Sequence, residues 1–292
     1  MQNWPSDGES GTRLTESGSE GRDLGVVRYE RDGAVARVVL NWPERANAQS
    51  SEMVHQVDAC LDEARQDYGV KVVIVKGAGK GFCAGHVIAP DAYPEFAESQ
   101  ANAGSNFQGS KELFLWPTLR FWEFPKPMIA QVHGYAIGGG TYWALLPEIT
   151  IASDDAYFQM PLVPGLGFAG GETMIEPYVF MNYKRAAEYL YTAQTLSADD
   201  AFRMGLVNRV VTREELEPAT EALAAKIARA PLSTLMATKT MLVRAWEQMG
   251  MRQHLQLSAD LMSVLEHTSD AQALRAELQA RGRLPRDQAD QA

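Results

Sequence analysis

Two glycine-bearing turns carry the residues whose types and spacing could do chemistry. The first, Gly77-Ala78-Gly79-Lys80-Gly81-Phe82-Cys83-Ala84-Gly85-His86, directly follows the β-branched run Val70–Val75. The second, His133-Gly134-Tyr135-Ala136-Ile137-Gly138-Gly139-Gly140, directly follows an apolar run at 127–132. A helix over Thr141–Leu146 is expected next, and the amide N–H groups of its first turn have no intrahelical partner. Glycines leave such a backbone open to close approach by a ligand. Amides and helix dipole together stabilise an anion, or an oxygen that becomes anionic during a reaction. Neither turn has the pattern of a triphosphate loop, and neither fits a dinucleotide fingerprint. Taken singly, each reads equally well as a tight connection in a packed α/β protein.

Metal chemistry is not expected. The five histidines are scattered, and the two cysteines, Cys60 and Cys83, suit neither a metal site nor a disulfide framework. Two lone thiols fit a reducing compartment, hence a cytoplasmic location. With 37 acidic against 27 basic residues and a net charge of −10, a general nucleic-acid binder is excluded. One phosphorylated small molecule held by two or three local cations is not. The most apolar stretch, Ala130–Leu146, is interrupted by Gln131, His133 and three glycines, so no membrane span is expected.

The elements that must position these turns read as α/β. Of the 292 residues 46% are apolar, enough for one large domain or a domain plus an appendage. Residues 1–23 hold five acids and only Met1, Trp4 and Leu14 as apolar residues, so a disordered acidic tail is expected there. The segment has neither a secretory nor a transit-peptide pattern. Residues 24–30 and 35–41 form a hairpin about Asp32-Gly33. Ser50 or Ser51 caps a helix with Met53, Val54, Val57, Leu61 and Ala64 on one face. Strands at Val70–Val75, 127–132 and 148–152 are each followed by a glycine turn and a helical stretch, which implies right-handed crossovers. Residues 87–122 form a flexible loop set among Phe107, Phe114, Trp116, Phe121 and Trp122, a candidate lid or substrate wall. Beyond Thr212 the chain is helical. A stripe of Leu235, Thr238, Leu242, Ala245, Trp246 and Met249, continued by Leu255, Leu261, Met262 and Leu265, must pack on something, and another subunit is the natural partner.

In this order the blocks resemble the crotonase (enoyl-CoA hydratase/isomerase) superfamily over residues 24 to about 285. The resemblance is carried by Leu40 through Ala48, Phe82-Cys83-Ala84-Gly85, Pro125 through Gly134 and Gly138-Gly139-Gly140. Thr192 through Leu196, Ser197-Ala198-Asp199-Asp200-Ala201 and Gly205-Leu206-Val207-Asn208 complete it. It implies a spiral of ββα units over residues 24–220 and a helical trimerisation region over 221–292, giving a homotrimer or a hexamer built as a dimer of trimers. It also implies an acyl-CoA thioester substrate, with coenzyme A entering as part of the substrate and no separate cofactor. The thioester oxygen would lie between the N–H groups of His86 and Gly139, each donor supplying roughly 3–4 kcal/mol to an enolate. Arg45 matches family cations near the nucleotide end, and the backbone at Ala46 and Ala84 would meet the adenine. The position of a frequent phosphate-binding lysine is Ala89, so Arg281 or Arg283 is the candidate substitute, or else each is a solvated surface charge.

The departures bear on the reaction. The two glutamates that activate water in family hydratases are replaced by Tyr142 and Leu162. Glu172, beside Gly170-Gly171, lies near the family's loop for an acidic catalytic residue, or is an acid favourable to a helix start. Glu176 is expected to be structural or solvated. Tyr142 either donates a proton or fills the space of the missing glutamate, and the His86 imidazole either joins the site or points to solvent. Cys83 is expected to serve packing. The reactions implied are hydratase/isomerase chemistry through a thioester enolate, or C–C cleavage by decarboxylation or β-dicarbonyl hydrolysis. A catalytically silent CoA-ester binder is the remaining reading.

Overall fold

The computed structural model describes residues 13–14, 20–87, 103–169, 171, 173–265 and 267–281. Asp32-Gly33 turns the hairpin of β3 (Val27–Asp32) and β4 (Val35–Leu40), with Gly33 at φ +55°. Two short strands, β1 (Arg13–Leu14) and β2 (Glu20–Asp23), extend that hairpin antiparallel on its outer edge. The expectation of a disordered tail as far as Asp23 is therefore corrected at these residues. Ladder bonds to β3 and an ion pair of Arg22 with Glu63 at 2.7 Å hold β2, and neither depends on the apolar content that composition measures.

From β4 onward the sheet is parallel, in the order β4, β5 (Val72–Gly77), β6 (Met128–Val132), β8 (Ile149–Ser153) and β11 (Arg209–Val211). Val72 to Val75 and all of β6 are buried, as a parallel sheet covered on both faces requires. One cover is α1 (Ser51–Gln66), whose cap is Ser50, accepting from the Met53 N–H at 3.2 Å. Its predicted face is buried, with Cys60 added to it. The other cover includes α9 (Leu216–Ala228), which packs Leu216 and Ala224 with Ile74, Ile129 and Ile151.

After β6 the chain turns at His133-Gly134 into β7 (Tyr135–Ile137), and after β8 it turns into β9 (Tyr157–Gln159). These two pair in parallel in a second small sheet, which β10 (Leu196–Ser197) joins antiparallel. Each of these two strand pairs then feeds a short helix, α4 (Gly139–Leu145) and α5 (Leu162–Leu166). The repeating unit is thus strand, strand, helix. In the unit before them, Cys83 bridges to Ala136 and holds the first glycine turn against β7.

Residues 103–123 are helical, not a loop. They form α2 (Ala103–Ser110), a π turn at Lys111–Leu115, and α3 (Trp116–Glu123). Pro117 sits in the first turn of α3, directly after the π turn. Phe121 stacks on Trp143 at 5.3 Å inside the core, while Trp116 is exposed. Residues 88–102 lie outside the described ones. After α6 (Glu176–Val179), α7 (Tyr183–Thr192) and α8 (Ala198–Arg203), the chain ends in α10 (Leu232–Gln248), α11 (Met251–Leu265) and α12 (Ser269–Arg281). The expected apolar stripe divides there: Leu255 and Met262 enter the core, whereas Leu242, Met249 and Leu261 stay exposed.

A buried cation ties α10 to the sheet. Lys239 Nζ donates to the Lys126 carbonyl at 3.1 Å and pairs with Glu148 at 2.7 Å, while Glu148 also accepts from the Met128 N–H. Removing one member of such a pair strands the other. Lys239→Ala is expected to lower stability by about 3–5 kcal/mol in urea unfolding, and a Lys239→Met/Glu148→Gln double variant to recover part of it. Equal midpoints for Lys239→Ala and the parent chain would show that the pair contributes nothing.

Candidate active site

The first glycine turn is held by side chains that precede α1. Asn47, buried at φ +52°, accepts from the Trp42 N–H and donates to the carbonyls of Ala78 (2.8 Å) and Gly81 (3.0 Å). Cys83 donates its N–H to Tyr135 and accepts from Ile137, so it is spent on packing and pairing as expected. Burial also pushes the Cys83 thiol up to about 12. Gln49 donates its N–H to the Gly85 carbonyl at 2.7 Å and accepts from the Val87 N–H at 2.9 Å. Extended backbone alternates its groups, so the N–H of His86, between those two partners, is aimed to the side away from Gln49.

The second turn meets the first backbone to backbone. A Cβ at Gly85 (φ +84°) would lie 2.6 Å from the Ile137 carbonyl oxygen and 3.2 Å from the Gly139 nitrogen. A Cβ at Gly140 would collide with the Cys83 carbonyl. Gly139 opens α4 two residues earlier than expected, and Thr141 closes the turn through bonds from its N–H and Oγ1 to the Gly138 carbonyl. The His86 imidazole packs against the Gly139 Cα, its Nδ1 2.7 Å from where a Cβ would stand. It also meets Phe114 edge to face at 4.7 Å. The ring is therefore packed at the junction, with the residue half-buried. Burial lowers its pKa to about 4, which keeps it neutral at neutral pH.

Tyr142 and Leu162, twenty residues apart, converge. A Cβ at Gly171 (φ +85°) would lie 2.8 Å from the Tyr142 hydroxyl and 2.8 Å from Leu162 Cδ1. Tyr142 is buried, and its hydroxyl faces Met160 Sδ at 3.9 Å. The paired turns thus hold backbone amides beside a neutral imidazole, and the neighbourhood of Gly171 holds a phenol and apolar surface. Such a set can polarise a carbonyl and deliver a proton. Ala84 and Ala46 also come together, the Ala84 N–H donating to the Ala46 carbonyl at 3.1 Å. Arg45 is exposed beside them, 6.0 Å from the Trp42 ring. Glu172, Ala89 and Arg283 lie outside the described residues, and Arg281 closes α12. No group of three His, Cys, Asp or Glu among the described residues could hold a metal, and none of their helices is long and apolar enough to cross a membrane.

Residues 30–280 match the family model for enoyl-CoA hydratase/isomerase. The chain belongs to this family, and so to the crotonase superfamily. It is 37% identical over 211 residues to a short-chain-enoyl-CoA hydratase of Clostridium acetobutylicum, covering 70% of this chain and 76% of that one. It is 34% identical over 208 residues to a carnitinyl-CoA dehydratase of Proteus mirabilis, covering 69% and 74%. A crystal structure of an enoyl-CoA hydratase/isomerase from Xanthobacter autotrophicus Py2 superposes with a TM-score of 0.78 at 31% identity, over 89% of this chain and 95% of that one. The protein is thus an enzyme of the enoyl-CoA hydratase/isomerase family with the crotonase fold.

Glu176 was the acid least visible in the sequence. It is buried rather than solvated, and its Oε2 and the hydroxyl of nearby Tyr189 lack hydrogen-bond partners among the described residues. Burial raises the Glu176 pKa to about 8, so the carboxyl is held protonated at neutral pH. The unfolded chain ionises near 4.5 and the folded one near 8, so the unfolded state binds fewer protons between those values. Stability must then fall as pH rises through that window. Glu176→Gln removes the titration. Its melting temperature should gain on the parent by several degrees between about pH 5 and about pH 8. A gap that stays constant across that range would mean Glu176 is ionised in the folded protein.

Proposed function

We propose that this enzyme processes acyl-CoA thioesters through an enolate, with the thioester oxygen held between the N–H groups of His86 and Gly139. The observation that carries this reading is the side-chain-free contact of Gly85 with Gly138 and Gly139, which sets the two amide-bearing turns side by side. Polarising the carbonyl lets the α-carbon lose a proton, or its carboxylate as carbon dioxide, and leaves the electron pair on oxygen. Arg45 and the backbone of Ala46 and Ala84 serve the nucleotide end, with Arg283 as a further phosphate contact. The free, buried thiols of Cys60 and Cys83 suit a cytoplasmic enzyme.

Simple hydration by two glutamates does not fit the convergence of Tyr142 and Leu162. Acid–base work falls instead to Glu172, next in the chain after Gly171, and to the Tyr142 hydroxyl. The same convergence favours a second reading, C–C cleavage. Losing carbon dioxide from a β-carboxyl thioester creates the enolate without a base, and only reprotonation of the α-carbon remains. A phenol can supply that proton.

Calorimetry with short, long and aromatic acyl-CoAs should show binding, and absence of binding by all three would overturn every form of this proposal. Crotonyl-CoA should be hydrated very slowly, because each general acid–base group typically contributes about 10²–10⁴-fold. Glu172→Gln should lower turnover of a productive substrate by about 10²-fold or more with acyl-CoA affinity nearly intact. Wild-type turnover in that variant removes Glu172 from the chemistry. Binding without turnover of any enoyl, β-keto or β-carboxyl thioester would leave the silent binder as the better reading.

The C-terminal helices serve assembly on this proposal. Leu242, Leu257, Leu261 and Val264 on α10 and α11, with Met249 between the two helices, are each 50–59% exposed in the single chain, an apolar load suited to burial between subunits. Sedimentation should give three or six copies with closed symmetry. A 32.2 kDa species at micromolar concentration would refute it.

A further inference from the structure

We infer that Gln49 is a positioning residue that sets the two amide donors of the oxyanion site at their working separation. The inference rests on the oxyanion reading above. Three consecutive glycines form the freest kind of backbone, yet stabilising a developing oxyanion requires donors fixed in advance. Something outside the triple glycine must hold it.

Gln49 reaches both turns. Its main chain brackets His86, donating to the Gly85 carbonyl at 2.7 Å and accepting from the Val87 N–H at 2.9 Å. Its side chain crosses to the second turn, where Nε2 donates to the Gly139 carbonyl at 3.2 Å. Only a donor can face that oxygen, so the orientation of the amide is determined by its partner. The other end of the amide, with the His86 ring, occupies the space that a Cβ on Gly139 would need. Gln49 is buried, and it precedes Ser50, the cap of α1, so the tether is anchored in a sixteen-residue helix packed on the sheet. One residue thereby spans from the chain flanking the first donor to the residue that carries the second. A leucine or methionine would fill the same volume and keep the main-chain bracket while losing the span.

The test uses the intact enzyme and dimethylaminocinnamoyl-CoA, a conjugated thioester whose absorbance moves to the red when its carbonyl is polarised. Wild-type enzyme should shift the bound probe. Gln49→Met, similar in length and apolar, should lose at least about half of that shift while probe affinity stays within about threefold, because binding energy lies mostly elsewhere on the substrate. Turnover of a productive thioester should fall about tenfold with KM nearly unchanged. Gln49→Asn keeps the amide but falls one methylene short, so it should lose the shift likewise and serves if the methionine variant does not fold. A full red shift in either folded variant would overturn the role of Gln49 and leave the oxyanion reading standing. No shift with the wild-type enzyme, despite probe binding, would overturn the oxyanion reading and the inference with it.

Discussion

Gly85 approaches Gly138 and Gly139 with no side chain between them, and the rest of the site depends on that approach. A methyl group on Gly85 would run into the Ile137 carbonyl, and one on Gly140 into the Cys83 carbonyl. Backbone this close is costly unless its polar groups are paired. Here they are paired across the junction: Cys83 with Tyr135 and Ile137, Gly138 with Gln159, Gln49 with Gly85 and Val87. Each turn is thereby fixed by bonds to its neighbours.

The sheet delivers the turns to that meeting. β5 and β6 are parallel neighbours, in register from Val73 opposite Met128 to Lys76 opposite Gln131. Parallel neighbours end at the same edge, so the turns that leave them emerge side by side. The second sheet then catches both, β7 directly and the first turn through the Cys83–Ala136 bridge. Because the core of β5 and β6 is buried on both faces, this edge has little freedom to shift.

Local signals made the framework legible. Asp32-Gly33 announced the hairpin, and Ser50 with the spacing of Met53, Val57, Leu61 and Ala64 announced α1. Continuous Val/Ile runs announced the parallel strands. What stayed hidden was settled by partners distant in sequence. Glu20–Asp23 is a strand because β3 offers an unpaired edge, although its own composition is that of a tail. Residues 103–123 look like a glycine-containing loop, but Leu113, Phe114, Leu115, Leu119 and Phe121 bury themselves through a π turn whose period no helical template contains. Glu176 carries no local mark of burial. Gln49 is a polar residue before a helix, and only the fold reveals that its amide reaches Gly139, ninety positions away. Tyr142 and Leu162 stand out in the sequence by resemblance alone; that both reach Gly171 is a property of the fold.

The packed junction has an electrostatic consequence. His86 is held neutral by burial, Leu162 is apolar, and the hydroxyl of Tyr142 faces a thioether. Fixed dipoles in such surroundings interact strongly with a developing charge, because little water competes for it. On the proposed reading the site is thereby better equipped to hold an enolate than to create one by strong base. That favours substrates whose α-carbanion is generated easily, through an acidified C–H or a departing carboxylate. On that reading, a phenol and a leucine where the resemblance implies paired glutamates change which step the protein assists: the stabilising amides are kept, and the water-activating charge is given up.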